Sequence, residues 1–147
     1  MADEATITVG LSIVSGHLDY QSRPASFVAD VAGSKGPVPG AISASSFGTD
    51  VDLSELTQPG LCRVQNLDAT NVLEVGAWDP TALRYYPILE LLPGESYVFR
   101  LSRNLSEEYG TGTGTGTLAA GTGNRLRLRK STGGAGTINA LVEAFET

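Results

Sequence analysis

The sequence predicts an all-β chain: a single antiparallel β-sandwich, jelly-roll-like, with about eight strands. Three observations predict it. Short β-branched runs recur at roughly 8–12-residue spacing. Gly, Pro, Asn and Asp punctuate them as turn residues do. No window keeps a 3.6-residue apolar period, and the 18 glycines, with many threonines, disfavour helix. The 147 residues suit one domain, 1–147, large enough to bury roughly two thirds of its unfolded surface without a staple.

The elements follow in order. ATITVGLSIV, 5–14, puts Ile7, Val9, Leu11 and Ile13 on one face at period two. Residues 1–10 are a candidate extended arm. HLDYQS is a short candidate strand. PASFVADVAGSKGPVPG, 24–40, begins extended and ends in a turn or edge, because Pro37 and Pro39 donate no ladder hydrogen bond. AISASSFG, 41–48, alternates weakly. LSEL, 53–56, is the best helical candidate, a single turn capped by Asp52. LCRVQNL, 61–67, and NVLEVGA, 71–77, read as a strand and its return partner. LRYYPILEL, 83–91, places Leu83, Tyr85, Leu89 and Leu91 on one side, with Pro87 marking an edge strand or a bulge. PGE, 93–95, is a turn into SYVFRLS, 96–102, with Tyr97, Phe99 and Leu101 inward. YGTGTGTGTLAAGTGN, 109–124, is a Gly/Thr loop. NRLRLRK, 124–130, turns Leu126 and Leu128 inward and Arg125, Arg127 and Arg129 outward. After a Gly-rich turn, TINALVEAF, 137–145, puts Ile138, Ala140 and Val142 on one face.

Charge and composition exclude several functions. The formal net charge of −6 argues against nucleic acid as a partner, since phosphate contacts need clustered cations. The longest apolar runs fall far short of the roughly 20 residues of a membrane helix. MADEATITVG carries neither a basic n-region nor an apolar h-region, so the expectation is folding in a cytoplasm. One cysteine, Cys62, allows no internal disulfide and reads as a small core residue.

The chemical-looking stretches are better explained by structure. NLDATNVLEVG, 66–76, fails as a calcium loop, because its sixth residue is Asn71 and its twelfth Ala77. Asp68 to Asn71 instead suit a hairpin corner, where Asx side chains bond the local backbone. GTGTGTG, 110–116, lacks the helix a dinucleotide fingerprint requires and the Lys a Walker loop requires. It is read as a contact segment, with Thr111, Thr113 and Thr115 as candidate interface residues. His17 is the only histidine, and no serine sits in GxSxG. Asp50 with Asp52, and Glu107 with Glu108, suit a surface rather than an acid–base cleft. No catalytic residue, metal or cofactor is expected. Asn104-Leu105-Ser106 matches a glycosylation sequon by coincidence.

Aromatic and basic residues supply the remaining candidates. Trp78 either caps the core or is an exposed anchor. Tyr86 points away from Tyr85 and is an interface candidate. Arg125, Arg127 and Arg129 form either a solvated edge that blocks sheet pairing or a docking stripe for an acidic surface.

The central block resembles a group of small β-rich virion structural proteins of tailed phages. There a strand runs into Asn-Leu-Asp-Ala-Thr-Asn, then an apolar strand ending in Val-Gly, then a Leu-x-x-Gly-Glu turn. The matching segments are VDLSEL, 51–56, VQNLDATNVLEVG, 64–76, and LLPGESYVFRLS, 91–102. The resemblance implies a decoration- or cement-like component, present in many copies on the virion and bound to the major capsid protein or other subunits. It implies structural roles for Asn66 to Asn71 as a corner and Gly94-Glu95 as a turn. Two other readings stand beside it: a tail or baseplate component, and a small carbohydrate-binding module stacking sugars on Trp78 and Tyr86.

Overall fold

The structure is a computed structural model that describes residues 3–31, 37–56, 59–80, 82–102, 125–131 and 135–146. Among the described residues there are twelve strands and no helix. They are β1 (Asp3–Val9), β2 (Ser12–Ser15), β3 (Leu18–Gln21), β4 (Ala25–Val31), β5 (Val38–Ser45), β6 (Thr49–Asp50), β7 (Pro59–Asn66), β8 (Leu73–Asp79), β9 (Arg84–Leu91), β10 (Ser96–Arg100), β11 (Arg125–Lys130) and β12 (Thr137–Glu146).

Eight of these strands build the expected sandwich. One sheet has the order β10-β7-β12-β5 and the other β6-β11-β8-β9, and every pairing is antiparallel. Period two sends Cys62, Val64, Ile138, Ala140, Val142 and Ala144 inward from the first sheet and Leu73, Val75, Leu126 and Leu128 from the second. Leu128 is fully buried, which by itself stabilises the fold by about 2–3 kcal/mol. Cys62 lies in this layer, and burial pushes its thiol up to about 12. Of the three prolines expected at turns or edges, Pro37 lies in the bend before β5, Pro39 in the edge strand β5 and Pro87 in the edge strand β9.

Three local expectations are corrected. β7 and β8 do not form a hairpin; they lie in opposite sheets, and the NLDATN segment crosses between them. LSEL is a tight turn, not a helical one: Leu56 N donates to Leu53 O at 3.0 Å, and both leucines plug the core. The shared face of Leu83, Tyr85, Leu89 and Leu91 is broken by a bulge. Val75 pairs with Leu89 but Gly76 pairs with Pro87, so Ile88 is the extra residue. Leu89 and Leu91 keep the core side, Tyr85 moves to the outer face, and Leu83 is exposed. Similarly, Phe99 and Leu101 point inward as expected, while Tyr97 is half exposed and stacks on Phe99.

The remaining four strands form an arm. Among the described residues β1 pairs only with β4, and β2 only with β3, around a two-residue turn at Gly16-His17. The ribbon therefore spans 3–31 rather than the first ten residues. From Thr8 to Val28 every residue except Ser22 is exposed. Val9, Leu11 and Ile13 thus do not face the core, contrary to the alternation argument, because no second sheet stands over them.

Candidate functional site

The arginine stripe lies on the outer face of the second sheet. Leu126 and Leu128 occupy the inner face, so Arg127 and Arg129 project outward between β6 and β8. The register sets Arg127 opposite Gly76 and Asp50, and Arg129 opposite Glu74. Arg127 Nε donates to Asp50 Oδ1 at 2.5 Å, and its guanidinium lies 3.9 Å from the Trp78 ring centroid. Arg129 donates from Nε and Nη2 to Glu74 Oε2 at 2.8 and 2.5 Å, and lies 4.4 Å from the Tyr85 ring centroid. Each cation thus has a carboxylate in the sheet plane and an aromatic face beside it, the geometry a planar guanidinium favours.

This layer is internally neutral: two arginines meet two carboxylates. The Arg127 side chain is only 14% exposed and Glu74 is buried. The layer is a welded sheet face, and Trp78 is part of it, half buried beside Arg127. Tyr86, the next aromatic candidate, stays exposed on β9. Arg125 contributes backbone to the β11–β8 ladder opposite Trp78. Thr111, Thr113 and Thr115 lie outside the described residues, as do the loop 109–124, Glu107, Glu108 and the sequon.

Two glycines make room for the layer. Gly48, at φ +97°, lies beneath Arg127, whose Cδ would be 2.6 Å from an added Cβ. An added Cβ at Gly76 would stand 2.2 Å from the Tyr86 carbonyl oxygen and 2.9 Å from Tyr85 Cζ. The Tyr85 hydroxyl above it is buried without a hydrogen-bond partner. Burial, then the neighbouring Glu74 carboxylate, pushes that phenol well above its ordinary range.

The NLDATN corner is the other polar cluster, and its chemistry is structural. Asn66 is fully buried, and its Nδ2 donates to Asn71 O at 2.8 Å and Leu91 O at 2.9 Å. Its Oδ1 accepts from Asp68 N at 2.9 Å. Asp68 Oδ1 accepts from Thr70 N at 2.9 Å and Asn71 N at 2.8 Å, and from the side chains of both. These donors, the Thr70 and Asn71 amides first, hold the Asp68 carboxyl down to about 2. The second crossing, at 92–95, is laced to the first: Asn66 N donates to Glu95 O at 2.9 Å and Gly94 N to Asn66 O at 3.2 Å. Among the described residues, no three His, Cys, Asp or Glu side chains gather as a metal site requires.

Groups of exposed apolar side chains lie elsewhere. The arm exposes Val9, Leu11, Ile13, Val14, Leu18, Tyr20, Phe27 and Val28. On the sandwich, β9 and β10 are, among the described residues, edge strands of opposite sheets joined by the short crossing 92–95. These strands and the crossing expose Tyr86, Ile88, Leu92, Tyr97 and Val98. A charge count could have found the arm, since residues 5–18 contain no Asp, Glu, Lys or Arg. No helix among the described residues is long and apolar enough to cross a membrane. Comparison with known proteins yields no match to a family model, a curated protein or a solved structure.

Proposed function

We propose that the chain is a non-enzymatic virion structural protein, a decoration or cement protein on the head of a tailed phage. One observation carries the reading: the ribbon 3–31 leaves Val9, Leu11, Ile13, Val14, Leu18, Tyr20, Phe27 and Val28 in solvent although the sandwich of the same chain is well packed. Uncovered apolar surface of this extent marks an attachment surface. The motifs at 51–56, 64–76 and 91–102 support the same reading. The partner class is the major capsid protein or other virion subunits, met as repeated copies. Each contact adds buried area across a subunit boundary, and many weak contacts on a symmetric shell sum to firm retention. A net charge of −6 suits a protein made in the host cytoplasm beside phage DNA that it must not bind.

The test is binding to empty heads of the encoding phage that lack this protein. Co-sedimentation with heads and a raised shell melting temperature are expected. Attachment to tails alone would move the protein to the tail or baseplate, and failure to bind heads would reject the decoration role. The carbohydrate reading has less support, because one face of the Trp78 ring is taken by Arg127.

A further inference from the structure

We infer that the arm of one copy seats on the β9–β10 side of a second copy, so that the free chain associates with itself by exchanging arms. The inference concerns the purified chain and does not depend on the virion reading.

The argument begins with the ribbon. An isolated two-stranded ribbon is marginal in water, because one layer of strands has nothing to bury against. This one also lacks the usual protection of an exposed edge. The outgoing strands carry no charged side chain from Ala5 to Leu18, and the returning strand has none from Pro24 to Ala29. Phe27 pairs with Ile7 and Tyr20 with Ile13, which places apolar pairs side by side. Val14 is 79% exposed and Phe27 49%. A surface so arranged is matched to a cover.

The same molecule carries a second uncovered surface of the same chemistry. Among the described residues β9 pairs only with β8 and β10 only with β7, which makes each an edge strand. Ile88, made prominent by the bulge, is 68% exposed, and Leu92, Tyr97 and Val98 are exposed on the following crossing and on β10, with Val98 on the outer face opposite Arg63. Backbone edges with apolar neighbours are what an added strand recognises.

In the purified chain, where no shell is present, area suits a second copy as the occupant. A ribbon about 12 residues long and two strands wide presents a face of roughly 400 Å². One such face laid on a foreign surface removes roughly 800 Å² in total, about half of a standard stable interface. In a two-fold pair each copy gives one arm and receives one, so the contact occurs twice and reaches roughly 1,600 Å².

The experiment is sedimentation velocity on the full chain, with two sets of substitutions at exposed positions. The first is Val14→Lys with Phe27→Lys on the arm; the second is Ile88→Lys with Val98→Lys on the sandwich. The unmodified chain is expected to sediment as a dimer or larger at about 100 μM, a concentration at which an interface of this size is populated. Each set is expected to give monomers that still unfold cooperatively, since none of the four side chains is buried. A monomeric unmodified chain overturns the inference, and so does an oligomer that survives either set.

Discussion

Asn66 is the side chain on which both sheet crossings depend. Its amide bonds the carbonyls of Asn71 and Leu91, and its backbone bonds Gly94 and Glu95. Asn66→Ala leaves two carbonyls short of a donor inside the corner and is expected to lower stability by about 1–3 kcal/mol, read by urea unfolding. Asp68 acts at the surface of the same corner. Its carboxyl is held down to about 2, against an ordinary 3.8, so its contribution is fully present above pH 4 and is lost as pH falls through about 2. Asp68→Ala is therefore expected to lower stability at neutral pH and to flatten its decline between pH 4 and pH 2, followed by acid titration of the unfolding midpoint. Tyr85 gives the opposite expectation. Its hydroxyl is buried and unbonded, so Tyr85→Phe should leave stability unchanged or raise it by up to about 1 kcal/mol. A loss larger than that would mean the hydroxyl has a partner. The corner was legible from residue type, because Asn and Asp favour turns for local reasons. The reach of Asn66 to Leu91 was not, since that contact spans 25 positions and no local rule encodes it.

At the scale of elements, alternation succeeds in β11 and β12 and fails in β9. Leu126, Leu128, Ile138, Ala140 and Val142 lie inward as period two demands, because β11 and β12 each have neighbours on both sides. In β9 a single bulge transfers Tyr85 to the opposite face, and Pro87 hinted at the break without giving its register. Gly76 fixes that bulge. Gly76→Ala would drive a methyl into the Tyr86 carbonyl and Pro87 Cα, and is expected to cost about 1–3 kcal/mol and loosen the Arg129–Tyr85 stack. Thermal unfolding together with near-ultraviolet dichroism reports both effects. The arginine stripe was legible as a face but not in its partners. Asp50 and Glu74 lie 77 and 55 positions from the arginines they bind, and only strand order brings them together.

For the whole molecule, two parts differ in how they are held. The sandwich buries a continuous core between two sheets, whereas the ribbon strands, among the described residues, pair only with one another. In the monomeric arm variant, amides of β2 and β3 are expected to exchange with deuterium several orders of magnitude faster than those of β7 and β12. Equal protection would show that the ribbon folds back onto its own sandwich. The arm was the least legible part of the fold, because alternation says which residues share a face and nothing about what lies opposite. Cys62 bears on the same question of opening. It is the only cysteine, it has no exposed surface, and its thiol is kept protonated in the core. Maleimide or aromatic disulfide reagents should therefore report the rate at which the two layers part, and nothing else. Probes can be attached to a new cysteine anywhere on the surface while the native one stays silent.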